Sequence, residues 1–271
     1  MTSEPPATGP AGRSWDDLSR RALSGAVMIV AGLAALWAGG IWLDALAVAV
    51  AGLMVWELAR MTAPDRPREA LLTGAAAALS LAGVLYVHNP YALIYLFVPA
   101  VILVVRPRRD ALLAAGAAAA MMLACYGIVA FRGGLGMAWI LWLIGVVVAS
   151  DTLGYFGGRA IGGAKFWPAV SPKKTWSGTV AGWIGAAIVG AGFWLAGLAP
   201  AWIVLLSPLA AFAGQMGDIA ESWIKRRAGV KDSSDLIPGH GGVMDRFDAL
   251  TGTVLFLLAW NVPFSLPQIG G

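Results

Sequence analysis

The chain has 271 residues, of which 59% are apolar and only 13% charged, against about 25% charged in soluble domains. With a mean hydropathy of +0.74, it carries more apolar surface than one soluble core hides. A soluble enzyme, a disordered chain, a collagen and a disulfide scaffold are excluded, the last because Cys125 is the single cysteine. The formal charge of +4, from 19 Lys and Arg against 15 Asp and Glu, is assigned to topology and lipid contact rather than to nucleic acid. The expected fold class is all-α, a polytopic integral membrane protein.

Residues 1–15 are rich in Pro, Gly and Ser, and 1–21 is expected to be a disordered cytoplasmic tail. Arg20 and Arg21 precede an apolar run as in a signal peptide, but the run reads better as a first span. At roughly 20 apolar residues per crossing, nine spans are expected at 22–39, 41–60, 70–87, 91–105, 111–131, 137–157, 179–197, 201–224 and 248–264. Residues 22–149 are expected to be the N-terminal membrane helices and 150–271 the C-terminal catalytic membrane region; Ala and Gly fill several spans, as in 111–120, and read as packing surface.

With a cytoplasmic N-terminus and nine crossings, every Lys and Arg except Arg132 falls inside, and the C-terminus lies outside. This is the bias that the positive-inside rule demands, and it points to the cell inner (plasma) membrane. Trp37, Trp42, Trp139, Trp142, Trp194 and Trp202 flank the outer loops and are expected to form an interfacial belt.

Glu4, Asp16, Asp17, Asp65, Glu69 and Asp110 fall in the tail or loops and read as solvated charges; His88, in an outer turn, reads as structural. Asp44 is expected to snorkel, and Glu57 to pair with Arg60 at i,i+3. Asp151, Asp218, Glu221, Asp245 and Asp248 differ, because they lie in or at the ends of apolar spans, where carboxylates are costly and functional by default. Asp218, Glu221, Ser222 and Lys225 share one helical stripe, and Asp245 and Asp248 share another.

Several carboxylates beside basic loops suit either a cation pathway or a Mg²⁺ site for phosphoryl chemistry. The long inner loops favour the second. Loop 158–178 carries Ser171-Pro-Lys-Lys-Thr-Trp-Ser-Gly178 ahead of a helix expected near Thr179, a natural phosphate seat. Loop 225–247 carries Lys225, Arg226, Arg227, Lys231, Arg246 and the glycine-dense turn Pro238-Gly-His-Gly-Gly242, which lets backbone approach a ligand closely.

Ser222-Trp-Ile-Lys-Arg226, Lys231-Asp232, Ile237-Pro-Gly-His-Gly-Gly242 and Asp245-Arg-Phe-Asp248 together resemble the signature of the phosphatidate cytidylyltransferases, or CDP-diacylglycerol synthases, without a gap over 222–248. Ser150-Asp-Thr, Tyr155 and the 171–178 segment resemble further family stretches; the first five spans match only in character. The resemblance implies that CTP and phosphatidic acid give CDP-diacylglycerol and pyrophosphate with Mg²⁺ and a second cation, in a homodimer that binds membrane lipid but no nucleic acid. It implies metal ligation by Asp218, Asp245 and Asp248, with Glu221 and Asp151 nearby. Lys173, Lys174, Thr175 and Ser177, with Ser171, Tyr155, Ser222, Gly241 and Gly242 around them, would hold substrate. Lys225, Arg226, Lys231 and Arg246 would neutralise phosphates, and Asp232 and His240 would order the glycine loop. A CTP-dependent lipid-alcohol kinase and an ion-coupled transporter are the alternatives.

Overall fold

The computed structural model describes residues 15–87 and 89–270; the expected tail over 1–14 and His88 lie outside the described residues. The chain forms α1 (Trp15–Ala38), α2 (Gly40–Thr62), α3 (Pro67–Val87), a 3-10 helix (Pro90–Phe97) running into α4 (Val98–Val105), α5 (Ala111–Leu135) and α6 (Met137–Ile161). A hairpin of β1 (Lys165–Trp167) and β2 (Ser171–Thr175) follows, then α7 (Trp176–Leu195), α8 (Ile203–Ala228) and α9 (Met244–Trp260). The all-α expectation therefore holds except for the hairpin. Helix begins at Trp15, so the expected tail boundary at residue 21 is too late.

A helical segment stands at each of the nine expected places, and six described helices (α2, α3, α5, α6, α7 and α8) are long and apolar enough to cross a membrane. The breaks between them are written in the sequence. Gly39 and Gly136 take the left-handed region, at φ 63° and 86°, where the chain reverses. Pro67 opens α3, and Pro90 opens the 3-10 helix behind Asn89, whose side chain accepts from Tyr91 N at 2.9 Å. Gly229 and Val230 donate to Arg226 O and Lys225 O, a Schellman turn that ends α8 just past Lys225.

Two apolar cores result. One joins α2, α3, α4 and α5 around Met54, Leu58, Leu81, Leu103 and Met122, and also takes Ile224 from α8 and Val243 and Met244 from the start of α9. The other joins α5, α6, α8 and α9 around Trp139, Trp142, Leu206 and Leu257. Trp139 and Trp142 are 0% exposed, and the Trp142 indole donates to Ser207 Oγ at 3.0 Å. They are core residues, not part of an interfacial belt. Trp37, Trp42, Trp194 and Trp202 are exposed as expected.

Two loop acids expected to be solvated are paired. Arg108 donates to Glu69 at 2.8 Å. Arg227 donates to Asp110 through two nitrogens, at 2.9 and 2.6 Å. This pairing holds the Asp110 carboxyl below its ordinary range. It also fastens the end of α8 to the start of α5.

Candidate active site

The site begins with a close helix crossing. A Cβ on Gly217 of α8 would lie 2.5 Å from the Asp248 carbonyl oxygen and 2.9 Å from the Gly252 Cα of α9. Only glycine permits backbones so near. The crossing brings Asp218 and Glu221, one turn apart on α8, against Asp248 on α9. One carboxylate oxygen from each lies within 4.8 Å of the others.

The donor set suits a hard cation. Glu221 Oε1 is buried with no hydrogen bond directed at it, while Oε2 accepts from Lys225 Nζ at 2.9 Å. Asp218 pairs with Lys174, and its other oxygen accepts from Ser222 Oγ at 3.4 Å. Asp248 Oδ1 accepts from the Ala249 amide at 2.7 Å. Asp151 on α6 is an electrostatic neighbour of Asp218 and Lys174. Three convergent carboxylates, one with an unpartnered buried oxygen, offer the oxygen ligands that a hard divalent cation takes.

Asp245 is not part of this cluster. Its Oδ1 accepts from Lys225 at 2.5 Å, and its Oδ2 faces Ser233 N at 2.9 Å, Ser233 Oγ at 2.8 Å and Gly242 N at 2.8 Å. Both Asp245 oxygens are thus engaged, by Lys225 and by the glycine loop, and the residue clamps that loop beside the cluster. Lys225, beside it, is 8% exposed and enclosed by Glu221 and Asp245, so its ammonium is engaged by two protein carboxylates.

The segment after α6 is the β1–β2 hairpin. Lys165 pairs with Thr175 and Trp167 with Ser171, and Val170 N closes the turn on Trp167 O around Pro168. The hairpin delivers Lys174 to Asp218 and to Gln215 O at 3.3 Å, and leaves Lys173 exposed. Thr175 caps α7 by accepting from Gly178 N at 3.2 Å, so α7 starts at Trp176, earlier than expected. Ser177 Oγ donates to Gly162 O at 2.5 Å. These two hydroxyls, expected to hold phosphate, are used in building the turn. Tyr155 is exposed and accepts from Arg159 at 2.8 Å.

The loop after α8 places the remaining expected residues. His240 Nδ1 lies 2.9 Å from Ser24 Oγ on α1, so the imidazole faces the first helix rather than the carboxylates. Arg246 donates to His240 O at 2.9 Å and Arg226 to Val230 O at 3.2 Å, both from exposed positions. Lys231 and Asp232 are exposed. Gly239 and Gly241 take φ of 75° and 79°, and Ile237 N bonds Gly241 O across the turn.

Two residues of this region were not foreseen. Glu57 of α2 is 0% exposed and turns to the loop instead of to Arg60, whose guanidinium lies over Trp56. It accepts from Ser234 Oγ at 2.5 Å, Val243 N at 2.9 Å and Met244 N at 2.7 Å, and Ser233 Oγ stands 3.1 Å away. Gln215 joins three helices, donating to Ser150 Oγ and Thr179 O and accepting from the Trp183 indole. A lone glutamine inside an apolar span was the available signal for it.

The family model described as "Cytidylyltransferase family" matches residues 19–262. Proteins named phosphatidate cytidylyltransferase are similar over part of the chain. The one from Brucella abortus (strain 2308) is 44% identical over 138 residues, 49% of this chain and 50% of the relative. That of Helicobacter pylori (strain 26695) is 42% identical over 113 residues, 41% and 42% of the two chains. That of Bacillus subtilis (strain 168) is 36% identical over 125 residues, 45% and 46%. The chain thus spans about half the length of the curated relatives it matches. With the family model covering nearly all the described helices, and the carboxylate cluster lying within the matched residues, the chain belongs to the cytidylyltransferase family.

Proposed function

We propose that this chain transfers the cytidylyl group of CTP to phosphatidic acid, releasing pyrophosphate and forming CDP-diacylglycerol. The observation that carries the reading is the Asp218, Glu221 and Asp248 cluster with a basic hairpin and a basic loop beside it. A phosphate oxygen of the lipid forms the new bond to the CTP α-phosphorus, and the bond to the bridging oxygen of pyrophosphate breaks. The nucleophile is already ionised near neutral pH, so no strong general base is needed. The obstacle is repulsion between anions, which fixed cations and a metal reduce.

Asp218, Glu221 and Asp248 would hold Mg²⁺, which when bound supplies charge neutralisation at the phosphates. Lys173, exposed on β2, and the amides at the start of α7 suit the CTP phosphates. Arg226, Lys231 and Arg246 form an exposed cationic rim for the lipid phosphate or the departing pyrophosphate. Lys174 and Lys225 balance the carboxylates.

All nine helical segments are read as crossings, with the site at the cytoplasmic face of the inner membrane. The short fourth crossing supports this. Eight 3-10 residues at about 2.0 Å and eight α residues at about 1.5 Å extend roughly 28 Å, close to the hydrocarbon thickness of about 30 Å.

The test uses purified protein in detergent with phosphatidic acid, Mg²⁺ and CTP labelled in turn at the α- and γ-phosphates. Label from the α position in lipid, with pyrophosphate released, is the expected result. Label from the γ position would make the protein a kinase, and no labelled lipid from folded protein would remove the reading.

A further inference from the structure

The Glu57 carboxylate lies outside the signature segment and outside the carboxylate cluster, yet both its oxygens are fully engaged. Its two oxygens face two main-chain amides and two serine hydroxyls of the loop between α8 and α9. The amides, Val243 N and Met244 N, are those that open α9. The first turn of a helix leaves its amides without intrahelical partners. Here they are capped from another helix, by a charge that also favours a helix N-terminus. Space is fixed as tightly as polarity: a Cβ on Gly242 would collide with Ser233 Oγ and Glu57 Oε1. Four residues after Met244, α9 presents Asp248 to the cluster.

We propose that Glu57 is a positioning residue that sets the start of α9, and through it the place of Asp248 and the glycine loop. The inference rests on the cytidylyltransferase reading for its kinetic consequences, but not for its structural one. Glu57→Gln is the sharp variant. Oε1 serves Ser234 and Val243 N, and Oε2 serves Ser233 and Met244 N. Either amide orientation of Gln therefore turns an NH₂ group toward a backbone N–H. Serine hydroxyls can rotate to accept, but a main-chain amide cannot.

Two readouts test the proposal. In limited trypsin digestion of the full-length protein in detergent, Glu57→Gln should speed cleavage after the exposed Lys231 by about ten-fold, because cleavage follows local opening. Cleavage after Lys165 in the hairpin should stay within about two-fold. Ser234→Ala, which removes one donor and leaves the carboxylate in place, should shift Lys231 cleavage the same way by a smaller factor. In the lipid assay, Glu57→Gln should lower kcat by about ten-fold and raise half-saturating Mg²⁺ by a similar factor, with the KM for phosphatidic acid within about two-fold. Unchanged Lys231 cleavage, or equal acceleration at Lys231 and Lys165, overturns the proposal, the second outcome leaving Glu57 a global stabiliser. Should the parent protein transfer no cytidylyl group, the functional reading fails and the two cleavage sites still decide the role of Glu57.

Discussion

Lys225 reaches from α8 to within 2.5 Å of Asp245 at the start of α9, and the same ammonium holds Glu221 at 2.9 Å. One buried cation thus joins the carboxylate cluster to the clamp that closes the glycine loop. Lys225→Met keeps most of the volume and strands two carboxylates. Removing one partner of a buried pair typically costs about 3–5 kcal/mol. The expected outcome is a lower midpoint in detergent thermal unfolding together with loss of lipid product, both larger than for Arg226→Met at the exposed rim.

The cluster makes a graded prediction among the acids. Asp218→Asn, Glu221→Gln and Asp248→Asn should each cut kcat by about 10²-fold, roughly 2.7 kcal/mol of transition-state stabilisation, and each should raise the Mg²⁺ needed. Asp245→Asn should also lose activity, but with faster tryptic cleavage after Lys231, because its oxygens hold Ser233 and Gly242 rather than the cluster. Chelation of divalent ions should abolish turnover by the parent protein, and added Mg²⁺ should restore it. Activity that survives chelation would remove the metal from the reaction.

Helix spacing should matter as much as ligand identity. Gly252→Ala places a Cβ 2.9 Å from the Gly217 Cα and against the Ala213 carbonyl, so α8 and α9 must part. The carboxylates on both helices stay intact. A rise of about ten-fold in half-saturating Mg²⁺ with normal membrane insertion is the expected signature. Gly116→Ala, where open space surrounds the glycine, is the matched control and should be silent.

Neighbouring lysines on β2 should separate by function. Lys173 is exposed, whereas Lys174 is engaged with Asp218 and Gln215. Lys173→Ala should raise the KM for CTP more than that for phosphatidic acid, while Lys174→Ala should act mainly on kcat and on the Mg²⁺ requirement. The reverse pattern for Lys173 would move this hairpin to the lipid side.

The helical segments and the polar cluster were legible because they rest on local rules. Span length and i,i+3 spacing on α8 act within a few residues. The sequence-based errors came where distant partners decide. Glu57 looked paired to Arg60 because helix neighbours are the only ones a sequence displays; its actual donors lie 176 to 187 residues further on. Trp139 and Trp142 were placed at an interface because they border a loop, but the facing helices bury them. Asp245 and Asp248 share one helix stripe, yet their surroundings differ: Lys225 and the loop amides for the first, Glu221 and Asp218 for the second. The hairpin that ends in Thr175, and the turn that engages Thr175 and Ser177, were not foreseen because strand pairing in a short loop leaves little local pattern.

The tether from α2 to the glycine loop also bears on the order in which the protein is made. Glu57 leaves the ribosome and enters the bilayer long before Ser233, Ser234, Val243 and Met244 exist. During that interval a carboxylate sits within an apolar helix without its eventual donors, at real cost in a membrane. The last two helices therefore complete a bond that the second began. The cluster takes its final place late in biogenesis, and a fragment beginning at α6 would carry every carboxylate of the cluster and still lack Glu57, which caps the start of α9.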